Sequence, residues 1–156
     1  MEEYKIARLR RAISAVVFKE DKFLLVAGKD WPENAWCFPQ GGLNNEETQF
    51  DAVKRELKEE FSSEKFEVLA KSKIEHSYLF PIAIAEKKGF DGQYQTIWFV
   101  RFLGNFNEIK SNKEELSKFF WFDKEDVVKN MRYPEQKETF IEVLKEFDKL
   151  REERVF

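Results

Sequence analysis

Three glutamates, Glu56, Glu59 and Glu60, crowd into one short stretch directly after a lone arginine, Arg55. Wound as a helix at about 100° per residue, this stretch puts Val53, Leu57, Phe61 and Phe50 on one arc of roughly 80°. The three acids fill the neighbouring arc. One side can pack on a core while the other holds carboxylates near enough to share a hard cation. Like charges three and four residues apart cost an isolated helix about a few tenths of a kcal/mol per pair. A divalent ion turns that repulsion into coordination, because Mg²⁺ takes carboxylate oxygens together with waters and substrate phosphates. Without an ion, the same arc is a solvated charged face.

The helix is expected over residues 48–61, entered from a loop over residues 42–47. Before it stands Trp36-Cys37-Phe38-Pro39-Gln40-Gly41-Gly42, where the two glycines let the backbone turn tightly and approach phosphate oxygens that side chains would obstruct. Residues 12–18 and 23–27 are apolar and β-branched around Lys19-Glu20-Asp21-Lys22, a hairpin pattern. Strands follow over 66–70, 74–80 (ended by Pro81), 94–102 and 119–122. A polar stretch with Gly89, Asp91 and Gly92 separates the second of these from the third. Helices are expected over 125–131 and 136–151; in the latter Phe140, Val143, Leu144, Phe147 and Leu150 recur as a core stripe. Strands interleaved with helices in this order predict an α/β sandwich with a mixed sheet.

The 156 residues read as a single domain, 1–156, with 17 phenylalanines and four tryptophans to fill its core. Neither a membrane span nor a secretory leader is visible, so the cytoplasm is the expected location. Cys37 has no partner for a disulfide and reads as packing or pocket lining. A net charge of −3 argues against an extended nucleic-acid footprint. Lys5, Arg8, Arg10 and Arg11 form a local basic arm, either solvated or steering phosphate.

The spacing Gly41-x5-Glu47-x7-Arg55-Glu56-Leu57-x-Glu59-Glu60 resembles the signature box of the Nudix hydrolases. Two positions depart from it: Ser62 stands where that family has glycine and Ser63 where it has an apolar residue. Glycine there would be the natural left-handed residue past the helix end, a conformation serine tolerates less well. The segment around Trp36 is similar to the Trp-x-Phe-Pro-Gln-Gly-Gly of the branch holding RNA pyrophosphohydrolases and dinucleoside polyphosphate hydrolases. Tyr78-Leu79-Phe80-Pro81 looks like the branch's Tyr-x-x-Pro. Gly92-Gln93-Tyr94-Gln95, followed by Trp98-Phe99, resembles its Gly-Gln-x-Gln-x-Trp-Phe with one residue added.

The resemblance implies an α/β/α sandwich with a mixed sheet. It implies Mg²⁺, or Mn²⁺ in its place, held by Glu56, Glu59, Glu60 and Gly41, with one carboxylate as base. Glu47 and Arg55 would be an orienting pair. Glu115 would be a fourth acid near the metal, against the alternative of a solvated loop carboxylate. Arg10, Lys29, Gln40, Gly42 and Tyr78 would bind substrate. His76 and Tyr78 share a strand face by alternation and could line a nucleobase pocket, although a half-exposed histidine without a role is the simpler reading. The implied reaction is Mg²⁺-dependent hydrolysis of a phosphoanhydride in a nucleoside or dinucleoside polyphosphate, or at a 5′-triphosphorylated RNA end. Two alternatives stand beside it: a house-cleaning nucleoside triphosphate pyrophosphatase, and a silent nucleotide-binding regulator.

Overall fold

The computed structural model describes residues 7–111 and 116–156. Leu9–Lys19 form β1 and Lys22–Gly28 form β2, joined by a turn in which Glu20 takes a positive φ of 55°. The hairpin pairs only at its closed end, Phe18 opposite Phe23 and Lys19 opposite Lys22. Beyond that point residues 37–42 wedge between the two strands. Val26 and Cys37 exchange backbone hydrogen bonds of 2.8 and 2.9 Å, and the Ala15 N–H donates to the Pro39 carbonyl at 2.8 Å. Gln40–Gly42, a three-residue β3, then pairs antiparallel with β1. The expected glycine turn is therefore an inserted strand.

Phe66–Leu79 form β4, Gly92–Phe102 form β5 and Leu116–Asp123 form β6. The sheet runs β4-β5-β1-β2-β6, with β3 branching from β1. β5 is parallel to β1 and the other described strand pairs are antiparallel, so the sheet is mixed as expected. Gln49–Phe61 form α1, Ile82–Lys88 α2, Lys124–Val127 α3 and Pro134–Glu152 α4.

The period of two along each strand sorts the core into two layers. Ile13, Ala15, Val17, Leu24, Val26, Val100 and Phe102 point to the side covered by Ala52, Val53, Leu57 and Phe61 of α1. Val16, Phe18, Phe23, Leu25, Ile97 and Phe99 point to the side covered by Phe140, Val143, Leu144 and Phe147 of α4. Burying side chains of this size contributes about 1.5–3 kcal/mol each. Cys37 is a buried member of the α1 layer, a packing residue.

Five expectations need correction. The strands read over 66–70 and 74–80 are one strand, β4, whose pairing with β5 is irregular between Lys71 and Glu75. There Ser72 and the Lys73 N–H turn to the Glu146 carboxylate of α4, which broke the apolar alternation. The stretch after Pro81 contains α2, which buries none of its residues and so left no core stripe to read. The helix read over 125–131 is the short α3 followed by a 3₁₀ turn, Val128–Asn130. Phe50, placed on the core arc, is 43% exposed and meets the Trp98 ring edge-on. His76 is buried and not half-exposed: its Nδ1 lies 2.7 Å from Thr139 Oγ1 of α4, and burial pushes its pKa down.

Thr48 caps α1, its Oγ1 accepting from the Asp51 N–H at 3.1 Å. At the other end Ser62 adopts φ 50°, ψ 35°, and its N–H donates to the Lys58 carbonyl at 2.8 Å. Serine thus fills the left-handed position at which the family pattern has glycine. Ser62→Gly is expected to raise stability by about 1 kcal/mol by removing the Cβ strain of that conformation. The urea midpoint reads it, and an unchanged or lower value contradicts the strain.

Candidate active site

The acids of α1 sit in unequal surroundings. Glu60 turns toward the core and is 6% exposed, the Glu56 side chain is largely covered, and Glu59 is half open to solvent. Burial raises the Cys37 thiol to about 12, and the Glu60 charge adds to the rise, which puts that carboxylate within electrostatic reach of the residues entering β3.

Arg55 ties the site together. Its Nε and Nη2 donate to Glu47 at 2.7 and 2.9 Å, and Nη2 also donates to the Gly42 carbonyl at 2.9 Å. Its Nη1 donates to Glu56 at 2.9 Å and to Glu59 at 3.3 Å. Glu47 in turn accepts from the Asn44 N–H at 3.0 Å, closing the loop ahead of α1. The paired guanidinium holds the Glu47 carboxyl below the usual carboxylate range, and Glu47 pushes the Arg55 pKa upward.

β3 presents a different side at each glycine. A Cβ on Gly41 would lie 2.5 Å from Glu56 Cγ and closer still to its carboxyl, so Glu56 rests directly on the strand. A Cβ on Gly42 would lie 2.7 Å from Arg10 Cζ, on the opposite, α4 side. Both glycines are needed for close approach rather than for a turn; among the described glycines only Gly89 has positive φ. On the α4 side Arg10 Nη1 donates to Gln93 at 3.4 Å, and Gln95 Nε2 donates to Gln40 Oε1 at 2.6 Å. Tyr78 stands opposite Gln93 in the neighbouring strand, and burial raises its phenol pKa.

Of the residues expected at the site, Gly41, Gly42, Glu47, Arg55, Glu56 and Glu59 are joined directly. Gln40 and Arg10 flank them across β3, and Tyr78 extends the Arg10 row. Lys29 is exposed just after β2, and Glu115 lies outside the described residues. Sequence reading passed over Gln93 and Gln95, which entered only as part of a motif. It also missed Arg132, whose guanidinium stacks on Trp31 at 4.4 Å and on Tyr133 at 5.0 Å. Neither set has a local spacing signal, since the partners lie far apart in the chain. A cleft of about 740 Å³ opens beside the exposed end of α1, lined by Arg55, Lys58, Glu59, Ser62 and Glu64.

The oxygens of Glu56, Glu59 and Glu60, with the Gly41 carbonyl, are hard donors of the kind Mg²⁺ or Mn²⁺ takes. Glu56, seated where a side chain on residue 41 would be, fits such a set. Among the described residues no three acidic, His or Cys groups are gathered into a ready-made cage. The Arg55 guanidinium lies between Glu56 and Glu59 instead.

A mixed sheet between α1 and α4, with an acid-bearing helix laid on a glycine strand, defines the Nudix α/β/α sandwich. The same fold is found in an Ap4A hydrolase of C. elegans, which matches with a TM-score of 0.63 at 21% identity over 87% of this chain and 98% of that one. The NUDIX domain profile matches residues 8–144, and the chain belongs to the NUDIX family. It is an enzyme, a Nudix pyrophosphohydrolase. An RNA pyrophosphohydrolase of Pelagibacter ubique is 35% identical over 125 residues, 76% of this chain and 79% of that protein. One of Rickettsia canadensis is 31% identical over 147 residues, 90% and 91% of the two chains. No helix of the described residues is long and apolar enough to cross a membrane.

Two outcomes follow from this geometry. Because the native Glu47 pKa is depressed, its stabilising contribution is complete above the ordinary carboxyl value of about 4.3 and fades as pH falls through the lower native value. Glu47→Gln is therefore expected to lower the melting temperature at pH 7, with the gap to wild type closing in acid; a gap independent of pH contradicts the ion pair's role. Gly41→Ala forces Glu56 off its seat. Activity is expected to fall on the order of a hundredfold while the circular dichroism spectrum is retained, and a near-native rate contradicts the close packing.

Proposed function

We propose that the chain is a divalent-cation-dependent hydrolase of a phosphoanhydride bond in a polyphosphorylated nucleotide, with a 5′-triphosphorylated RNA end as the first candidate and a dinucleoside polyphosphate as the second. The observation that carries this reading is the Glu56 carboxyl laid on Gly41 and bridged by Arg55 to Glu59, beside a strand whose other side carries the Arg10 guanidinium. The naming of the bacterial relatives supports the RNA end.

Hydrolysis at phosphorus requires charge on the phosphoryl oxygens to be offset and a water to be placed and deprotonated. A bound Mg²⁺ or Mn²⁺ supplies positive charge there and acidifies water. Glu56, Glu59 and Glu60, with the Gly41 carbonyl, would hold it, and one of the three carboxylates would take the proton. Glu115, just before β6, is a further candidate acid. Arg55 keeps Glu47 and the Gly42 carbonyl through Nε and Nη2, so it can release Glu56 and Glu59 without losing its place. Arg10 is half-buried and forms no ion pair with a carboxylate among the described residues, which suits it to a phosphate. Gln40, Gly42 and Tyr78 line the same approach, and Lys29 is a more distant basic group. So few basic groups suit a nucleotide or an RNA terminus rather than a long duplex, and a cytoplasmic setting agrees with either.

The test compares triphosphorylated RNA, diadenosine tetraphosphate and deoxynucleoside triphosphates side by side, with product identification. Pyrophosphate or phosphate release from the first two is expected, lost on chelation and restored by Mg²⁺. Glu59→Gln and Glu60→Gln are expected to lower kcat by about 10²–10⁴-fold. Wild-type rates in either variant would contradict the assignment of these acids. Preference for the deoxynucleoside triphosphates would move the reading to a house-cleaning pyrophosphatase, and tight binding without turnover to a silent regulator.

A further inference from the structure

Four strands, β4, β5, β1 and β3, carry a polar band on the α4 side of the sheet. In successive rows the register aligns Tyr78, Gln93 and Arg10, then His76, Gln95, Ala12 and Gly42, then Ile97, Ser14 and Gln40. Ala12 and Gly42 leave the middle row low, and across it Gln95 reaches diagonally to Gln40. Gln95 is fully buried. Its Nε2 donates to Gln40 Oε1 at 2.6 Å, while its own Oε1 is buried without a hydrogen-bond partner.

This arrangement has a direction. A buried amide that must leave one group unpaired does so with less penalty at the oxygen than at the N–H, since under-satisfied carbonyls are the less rare of the two. Gln95 therefore spends its donor on Gln40 and occupies the Gln40 oxygen. What remains of the half-buried Gln40 amide for a ligand is its NH₂, next to the two glycines and on the Arg10 side of β3. Phosphate oxygens are acceptors, so an NH₂ presented there attracts them, whereas an amide oxygen would repel them.

We propose that Gln95 is a positioning residue that fixes the Gln40 amide with its NH₂ toward the polyphosphate, making β3 a donor edge. This rests on the functional reading above and extends it to a residue no substrate can touch. Removing Gln95 frees the Gln40 amide to turn, which weakens substrate binding while leaving the acids of α1 in place.

The experiment is a cycle of wild type, Gln40→Ala, Gln95→Met and the double variant, in the full chain with Mg²⁺. KM and kcat are measured on triphosphorylated RNA and on diadenosine tetraphosphate. Each single variant is expected to raise KM about two- to tenfold, the worth of one neutral hydrogen bond, with kcat little changed. The double variant is expected to match Gln40→Ala, because Gln95 acts through Gln40. Additive KM effects, or a loss confined to melting temperature, overturn the proposal. Gln95→Glu gives an independent reading: its carboxylate accepts from the Gln40 NH₂ and turns the Gln40 oxygen outward. KM should then rise above that of Gln95→Met, and an equal or lower KM overturns the assigned direction. Should Gln95→Met not fold, Gln95→Asn, which keeps the amide but falls short of Gln40, takes its place. If the wild type hydrolyses neither nucleotide, the functional reading fails; the same cycle read by calorimetric binding of inorganic tripolyphosphate then decides the positioning separately.

Discussion

One guanidinium carries the local architecture. Arg55 makes five hydrogen bonds to the loop acid Glu47, the β3 carbonyl of Gly42, and the helix acids Glu56 and Glu59. Only a planar fork with several fixed donors can serve a bidentate carboxylate and a carbonyl at once; a lysine ammonium is a point charge without that geometry. The contacts are partly buried, so they are screened less than exposed pairs such as Lys58–Glu64. Loop, strand and helix are therefore locked to one another, and a helix face that would repel itself stays folded.

The sheet acts as a partition around that lock. Its α1 side meets the acidic residues at Gly41, and its α4 side meets the Arg10 guanidinium and the glutamine amides at Gly42. The acids of α1 and the Arg10 guanidinium are thus held apart by a strand without side chains at two of its three positions. A polyphosphate crossing β3 would find acids suited to a cation on one side and donors on the other.

Much of this was legible in the chain and some was not. The α1 stripe of Val53, Leu57 and Phe61 and the α4 stripe have the period of a helix, and tertiary packing confirms both. The pairing of Glu47 with Arg55 followed from the resemblance, and the two side chains meet at 2.7 Å. β3 was invisible because three residues, two of them glycine, carry no alternation. β4 was split on paper because Ser72 and Lys73 answer to a carboxylate of α4 and not to the sheet. The link between Gln95 and Gln40 spans 55 positions, and no short-range pattern encodes contact at that distance. Helix and loop chemistry is local and readable; the meeting of strands is not.

The wedge of residues 37–42 has one more consequence, and it concerns parity. Successive residues of a strand face opposite ways, so a shift by one place exchanges every facing. Anchored by the Cys37 and Pro39 bonds at one end and by Gly42 against β1 at the other, the wedge has no slack to absorb an extra residue. Inserting or deleting one amino acid between Phe38 and Gln40 would aim Gln40 at the acidic helix and hand the seat of Glu56 to a neighbour. Changes by two preserve the facing. A length change of one residue here would therefore cost the site its facing, where a change of composition alone would not.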